Sequence, residues 1–320
     1  MKKYFQMLAL AAFVASVPAL SFAQDYPNRP VKIIVPFPAG SGTDVIARRI
    51  ADKLQRILKQ PFVIDNKAGA NGIIAAEAAA KAEPDGYTIF ISSISTQATN
   101  VSLYKSLPYD AQKDFAPVSG IVTNTLILTA RPDFPANDVA GLIKLAKASP
   151  EALKFGSGNT SSIVGNASFK SLTGADVLDV PYKGTPQVLT DLMGSRIDLY
   201  FVEGASALTL IQSGKIKALA VAGPKIASLP KVPTMQEAGL PGLRLVTWIA
   251  AFAPVRTPKP IVDKLNAAIV QIVNDKDEIA YFESIGSQAH PTTPDELGKF
   301  VANETIYWAD LIKKAKIEMQ

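Results

Sequence analysis

The sequence predicts an α/β protein with two successive units of mostly parallel sheet, and three observations carry that prediction. Short apolar runs rich in β-branched residues alternate with longer segments of helical period, the pattern of βα units laid on a sheet. The chain has 320 residues, of which 48% are hydrophobic and 19% charged, a composition that can build large cores and excludes a disordered chain. At 34.0 kDa it also exceeds the size at which one hydrophobic core stops growing, so two units are expected.

Residues 1–23 stand apart from this pattern. Lys2 and Lys3 form a basic start, residues 7–17 are an apolar run, and Ser21 and Ala23 place small residues just before a cut after Ala23. The run is shorter than the roughly 20 residues a spanning helix needs. With no cysteine to take a lipid, the segment reads as a cleavable signal peptide and the mature protein as freely soluble, most simply in a bacterial periplasm.

The first unit opens with a strand at 31–35. Residues 44–59 put Ile46, Ile50, Leu54, Ile57 and Leu58 on one helical face and stop before Pro61. A strand at 62–64, an alanine-rich helix at 71–82 ended by Pro84-Asp85-Gly86, and a strand at 87–91 complete it. The second unit begins at 126–129 and continues through a helix at 138–148, a strand at 153–155 and a helix from about Ser162. Strands at 177–180, 197–201 and 216–221 follow, with helical stretches between them. After a Pro- and Gly-rich stretch at 230–242 the tail is mostly helical, at 259–273, 276–285 and 294–315.

Composition removes several functions. The 33 basic and 28 acidic residues become 31 and 28 once Lys2 and Lys3 are cut away, and no basic stripe alternates with aromatics, so no nucleic-acid partner is expected. Without cysteine there is no thiol nucleophile, disulfide scaffold or zinc finger. His290 is the sole histidine, in a loop setting before a helix start, and no Gly-x-Ser-x-Gly elbow exists. The Ser-x-x-Lys matches at Ser102 and Ser228 lack the companion motifs of such enzymes. Carboxylates do not fall at metal-binding spacings. The expectation is a protein that is not an enzyme and carries no metal or cofactor. A hydrolase or isomerase of small acids is the alternative, discriminated by turnover.

The most informative segment is Pro36-Phe37-Pro38-Ala39-Gly40-Ser41-Gly42-Thr43-Asp44, between the first strand and the first helix. Its glycines and serine expose backbone N–H groups at a helix N-terminus of partial positive charge, where an anion can sit. The same segment suits a tight strand-to-helix turn with an ordinary cap, and the local pattern does not separate the two. It is not a dinucleotide fingerprint, because Val45 stands where the third glycine belongs. Phe155-Gly156-Ser157-Gly158-Asn159-Thr160-Ser161-Ser162 repeats the design in the second unit, with hydroxyls that suit an oxygen-rich ligand. Alone it fits a flexible link with a serine cap better than a ligand site. Two such loops, in two units that face each other, would aim both helix N-termini into one cleft.

Tyr26-Pro27-Asn28-Arg29-Pro30-Val31, the 36–44 segment, Pro84-Asp85-Gly86-Tyr87 and the stretch from Leu107 to Pro117 resemble the Bug family of periplasmic solute-binding proteins, the receptors of tripartite tricarboxylate transporters. Val180-Pro181-Tyr182-Lys183-Gly184, residues 214–220 and 229–234, Glu237-Ala238-Gly239 and the region of Trp248 continue the resemblance in order. It spans essentially the whole mature chain. It implies a type II periplasmic-binding fold of two Rossmann-like lobes joined by a hinge, with lobe 1 at 24–124 and 246–320 and lobe 2 at 125–245. The hinge would lie near 122–125 and 245–248.

The resemblance further implies an extracytoplasmic receptor that captures a small aliphatic or aromatic mono- or dicarboxylate between the lobes and delivers it to a membrane permease. The receptor would be a monomer; a ligand-sensing adaptor of a signalling system would share its fold and pocket. Phe37, Ala39, Ser41, Gly42 and Thr43 would line one side, Ser157, Asn159, Thr160, Ser161 and Ser162 the other, with Ser92, Ser95 and Gln97 joining from the first lobe. Relatives often have His at the place of Gln97, and Phe-Asp where Phe201-Val202-Glu203 stands. The second loop is also shorter than in many relatives. Glu203 is therefore expected to read the far end of the ligand in its own way.

Overall fold

The computed structural model describes residues 26–150 and 152–320. The signal peptide expected at 1–23 lies outside them. Strand β1 (Val31–Val35) pairs in parallel with β2 (Phe62–Asn66) and β3 (Thr88–Ser93). Val31, Ile33 and Val35 pack with helix α1 (Gly42–Leu58) on one face of this sheet, and Ile34 joins a second cluster on the other. That division follows from the two-residue period of a strand. Helix α1 buries Ile46, Ala47, Ile50, Ala51 and Leu54, and it ends at Lys59 in the left-handed conformation. Helix α2 (Ile73–Ala80) follows a single 3₁₀ turn, so the helix is shorter than the 71–82 expected, and it buries Ala75, Ala76 and Ala79.

Strand β4 (Phe115–Ala130) is 16 residues long and belongs to both sheets. Residues 115–125 pair antiparallel with β9 (Val246–Pro254). From Leu126 onward β4 pairs antiparallel with β7 (Leu199–Glu203) and, on its other side, with β8 (Lys217–Val221). Strands β5 (Lys154–Ser157) and β6 (Leu178–Pro181) extend the second sheet in parallel. Each sheet thus repeats one order, β2-β1-β3-β9-β4 in the first and β6-β5-β7-β4-β8 in the second. The short β10 (Ser287–Ala289) closes the edge of β4 at residues 122–124.

Two parts of this framework exceed the sequence reading. The strand expected at 126–129 begins eleven residues earlier, at Phe115, because register shifts at Pro117/Ser119 and Gly120/Val122 accommodate a proline and a glycine that read as turn residues. Strand β9 falls where only a chain return was expected. Eight of its nine residues are buried, so it shows no polar–apolar alternation.

The remaining helices cover the sheets: α3 (Asn100–Leu103), α4 (Val139–Ala148), α5 (Thr160–Thr173), α6 (Thr185–Met193), α7 (Gly204–Gln212), α8 (Lys259–Val273), α9 (Lys276–Ser284) and α10 (Pro294–Lys314). Helix α9 is tied to α1 by a buried ion cluster. Glu278, 0% exposed, accepts from Arg49 Nε and Nη2 at 2.8 Å each and lies 2.6 Å from Lys53 Nζ. Burial pushes its carboxyl up, but hydrogen bonds from Arg49 and Lys53 outweigh that and hold it below the usual carboxylate range.

Because the folded-state value is lowered, the stabilisation is present above the unfolded carboxylate range, near pH 4.3, and is lost as pH falls through the folded one. Glu278→Ala is expected to cost about 3 kcal/mol at neutral pH, the lower end for breaking a buried pair, since both cations keep some solvent. Denaturant unfolding should show the gap between variant and wild type narrowing in acid. A gap that is unchanged across that range would remove the ion cluster from the stability of α9.

Candidate functional site

The first loop is shaped from beneath by Asp44, which is 2% exposed. Its Oδ2 accepts from the Gly40 N–H and from Arg48 Nε, both at 2.9 Å. Asn66 Nδ2 donates to Asp44 Oδ1 and to the Phe37 carbonyl, again at 2.9 Å. Burial raises the Asp44 carboxyl, and hydrogen bonds from Arg48, Gly40 and Asn66 overcome this to keep it below its usual range. Ser41 caps α1 by accepting from the Asp44 N–H at 3.3 Å. Among the described residues the N–H groups of Gly42 and Thr43, at the first turn of α1, make no hydrogen bond.

The second loop is held by a capping box. Asn159 Oδ1 accepts from the Ser162 N–H at 2.9 Å and from the Ser161 hydroxyl at 2.9 Å. Ser162 Oγ takes the N–H groups of Gly158 and Asn159 at 3.1 and 3.3 Å. The N–H groups of Thr160 and Ser161 are left without a partner among the described residues. The two loops therefore present the same device, a helix start whose capping needs are met except for two donors.

A third segment joins them. Strand β3 ends in Ser92 and Ser93, and a π-turn follows at Ser95–Thr99, a type of irregularity common at functional sites. The Thr160 hydroxyl donates to Ser95 Oγ at 2.9 Å and also meets the Thr99 hydroxyl, so the second loop reaches across to the first sheet. Ser92 and Thr96 share a hydroxyl–hydroxyl contact.

Of the residues expected from sequence, Phe37, Thr43, Ser95, Asn159, Ser161 and Glu203 line one small cavity between the loops. Ser41, Gly42, Ser92, Ser157, Thr160 and Ser162 are buried beside it without lining it. Ala39 is exposed at the rim. Gln97 is fully buried, does not line the cavity, and neither atom of its amide has a partner among the described residues. Ser93, Asn124 and Thr247 complete the polar wall and were not singled out as ligand contacts. The last two sit opposite each other on the paired strands β4 and β9, where the resemblance implies only a hinge.

The cavity is tight. The centre of a water-sized sphere has about 10 Å³ in which to move, room for about one water. Cross-cleft contacts explain this. A Cβ built on Gly184 would fall 2.7 Å from Pro38 Cδ, and one built on Gly40 would fall 3.8 Å from Pro186 Cγ. Ser206 Oγ donates to the Gly40 carbonyl at 3.4 Å. The two sides are closed on each other.

Glu203, the last residue of β7, caps α7 without a side-chain hydrogen bond to that helix. Its Oε1 accepts from Asn159 Nδ2 at 3.2 Å. Burial pushes its carboxyl above the usual range, with Asn159 and the backbone offsetting only part. No lysine or arginine lines the cavity, and Lys67 is turned to Asp65 at 3.3 Å.

Two other features stay outside this chemistry. His290 packs on Phe300 with ring centroids 4.7 Å apart, and its Nε2 has no partner among the described residues. A larger hollow of about 430 Å³ lies behind the crossing strands, among Arg244, Trp248, Phe300 and Glu304. It has more room but neither loop opens into it, so the convergent donors favour the front cavity as the ligand site.

Two matching sheets, a strand shared by both and paired helix-start loops facing one cleft define a two-lobed fold of the solute-binding type. The chain belongs to the tripartite tricarboxylate transporter family receptor group, whose family model matches residues 46–317. It is 33% identical over 325 residues to protein BugT of Bordetella pertussis, covering 100% of this chain and 99% of that one. Among solved structures, Rpa4515 of R. palustris with adipate superposes with a TM-score of 0.90 at 34% identity, covering 92% of this chain and 100% of that one. MatC of Rhodopseudomonas palustris with bound malate gives 0.85 at 32%, covering 90% and 100%. The chain is thus a receptor of the periplasmic solute-binding type.

Proposed function

We propose that this chain captures a small carboxylate in the cleft between residues 36–44 and 155–162, and hands it unchanged to the membrane permease of a tripartite transporter. The observation that carries this reading is the convergence of four N–H groups without a partner among the described residues, from Gly42, Thr43, Thr160 and Ser161, at two facing helix N-termini. Such donors and the helix dipoles bind an anion without a basic side chain. Ser95 and Ser161 add hydroxyls, and waters bridge the rest.

The lobes are taken as 24–124 with 246–320 and 125–245, hinged where β4 and β9 cross. Gly42, Ser41 and Ala39 act through the backbone of the first loop, and Ser92, Ser157, Ser162 and Gln97 support the walls. The protein works as a monomer in the periplasm, exported by residues 1–23. No helix among the described residues is long and apolar enough to cross a membrane. It binds and releases its ligand without chemistry. The relatives with adipate and malate support an aliphatic acid as cargo.

The test is a thermal-shift screen of aliphatic and aromatic mono- and dicarboxylates. An acid present at a hundred times its Kd should stabilise the fold by about 2.7 kcal/mol. Lys67→Ala should keep the affinity for that acid within about fivefold, the weight of an exposed charge. Loss of all binding in that variant would show that an ion pair carries the site, and turnover of the acid would replace the receptor with an enzyme.

A further inference from the structure

Glu203 introduces a negative charge into a cleft built to receive one. Its carboxylate lies against the first anion loop, where a Cβ on Gly42 would fall 3.8 Å from Oε2, and against the second, through Asn159 Nδ2 at 3.2 Å. The other polar groups of the cavity wall are neutral, namely Thr43, Ser93, Ser95, Asn124, Ser161 and Thr247. No ion pair involves Glu203 among the described residues. A buried carboxylate with one side-chain donor is under-compensated, and such a group is satisfied by a cation, by further donors or by a proton of its own. No other charged side chain lines this cavity, so a cation for Glu203 would come from the cargo.

We infer that Glu203 selects the cargo by its second end: an acid whose carboxylate meets the loop N–H groups and whose other end carries a protonated nitrogen that donates to Glu203. A second carboxylate in that position would face Glu203 as a like charge across a water-poor space, where charges act strongly. Burial pushes the Glu203 carboxyl above its usual range, and an ammonium group facing it would bring it down again. This inference rests on the carboxylate-receptor reading and narrows its substrate class to zwitterions of the ω-amino acid type.

Calorimetry on the mature protein tests it with length-matched probes of four to six carbons: the ω-amino acid, the α,ω-diacid and the plain monoacid. The wild type should bind the amino acid about tenfold or more tightly than the diacid of the same length, the weight of exchanging a like-charge pair for an opposite one. Glu203→Gln keeps the acceptor for Asn159 and the side-chain volume, and should bring that ratio close to one. A wild type that prefers the diacid, with the ratio unmoved by Glu203→Gln, overturns the assignment of Glu203 and leaves the receptor reading intact. The wild-type ratio alone decides the matter should the variant fold poorly. Failure of every acid in the series to bind either protein overturns this inference, and failure of the wider thermal-shift screen as well overturns the carboxylate-receptor reading.

Discussion

Gly42→Val should weaken binding of the cognate acid by about a hundredfold or more while the fold persists. A Cβ at this position would sit 3.4 Å from Glu203 Cβ and 3.8 Å from its Cγ, so alanine meets ordinary contact and should cost little. The methyl groups of valine reach about 1.5 Å further and enter the space between the loop and Glu203. They cover the N–H groups of the first turn and hold the cleft apart, whereas α1 tolerates valine at its first turn at a cost well under 1 kcal/mol. Calorimetry reads the affinity and circular dichroism the fold. Unchanged affinity in the valine variant would reduce the first loop to a strand-to-helix turn.

Gly184→Val should weaken the same binding by about thirtyfold through a different route. Gly184 has φ 171, an extended conformation open to any residue, so a side chain does not strain its own backbone. The obstacle lies across the cleft, where a Cβ would stand 2.7 Å from Pro38 Cγ and Cδ. The substitution therefore burdens only the closed form, and the apparent affinity falls by the fraction of closed protein that is lost. The free variant should melt close to the wild type. A melting temperature that drops sharply with affinity unchanged would place Gly184 in the packing of one lobe instead of in the closure.

These substitutions mark how far the sequence could be read. Both anion loops were visible because Gly, Ser and Thr cluster between a strand and a helix, a local pattern with a local cause. The internal partners of those loops were not. Asp44 lies three residues from Ser41 in the chain, but its role depends on Asn66 arriving from β2. The Pro38–Gly184 contact joins residues far apart in the chain, and no pattern announces it. Asn124 and Thr247 entered the cavity wall because β4 and β9 cross together, and β9 itself was concealed by uniform burial that leaves no alternation to detect. The tail helices α8, α9 and α10 were legible almost to the residue, since each has a helix-start signal, from Pro260, Asp275 and Thr293, beside an apolar face.

The central claim is that the cargo is held from two lobes that close on it. Small-angle scattering of the wild type, with and without saturating cognate acid, tests this most directly. A hinge shifts toward its closed form only through the ligand's greater affinity for that form. The radius of gyration should therefore fall when the acid binds, and Gly184→Val should show no such fall. Tight binding of the acid with an unchanged scattering curve in the wild type, when spin-label distances place the free lobes apart, would contradict closure as the means of capture.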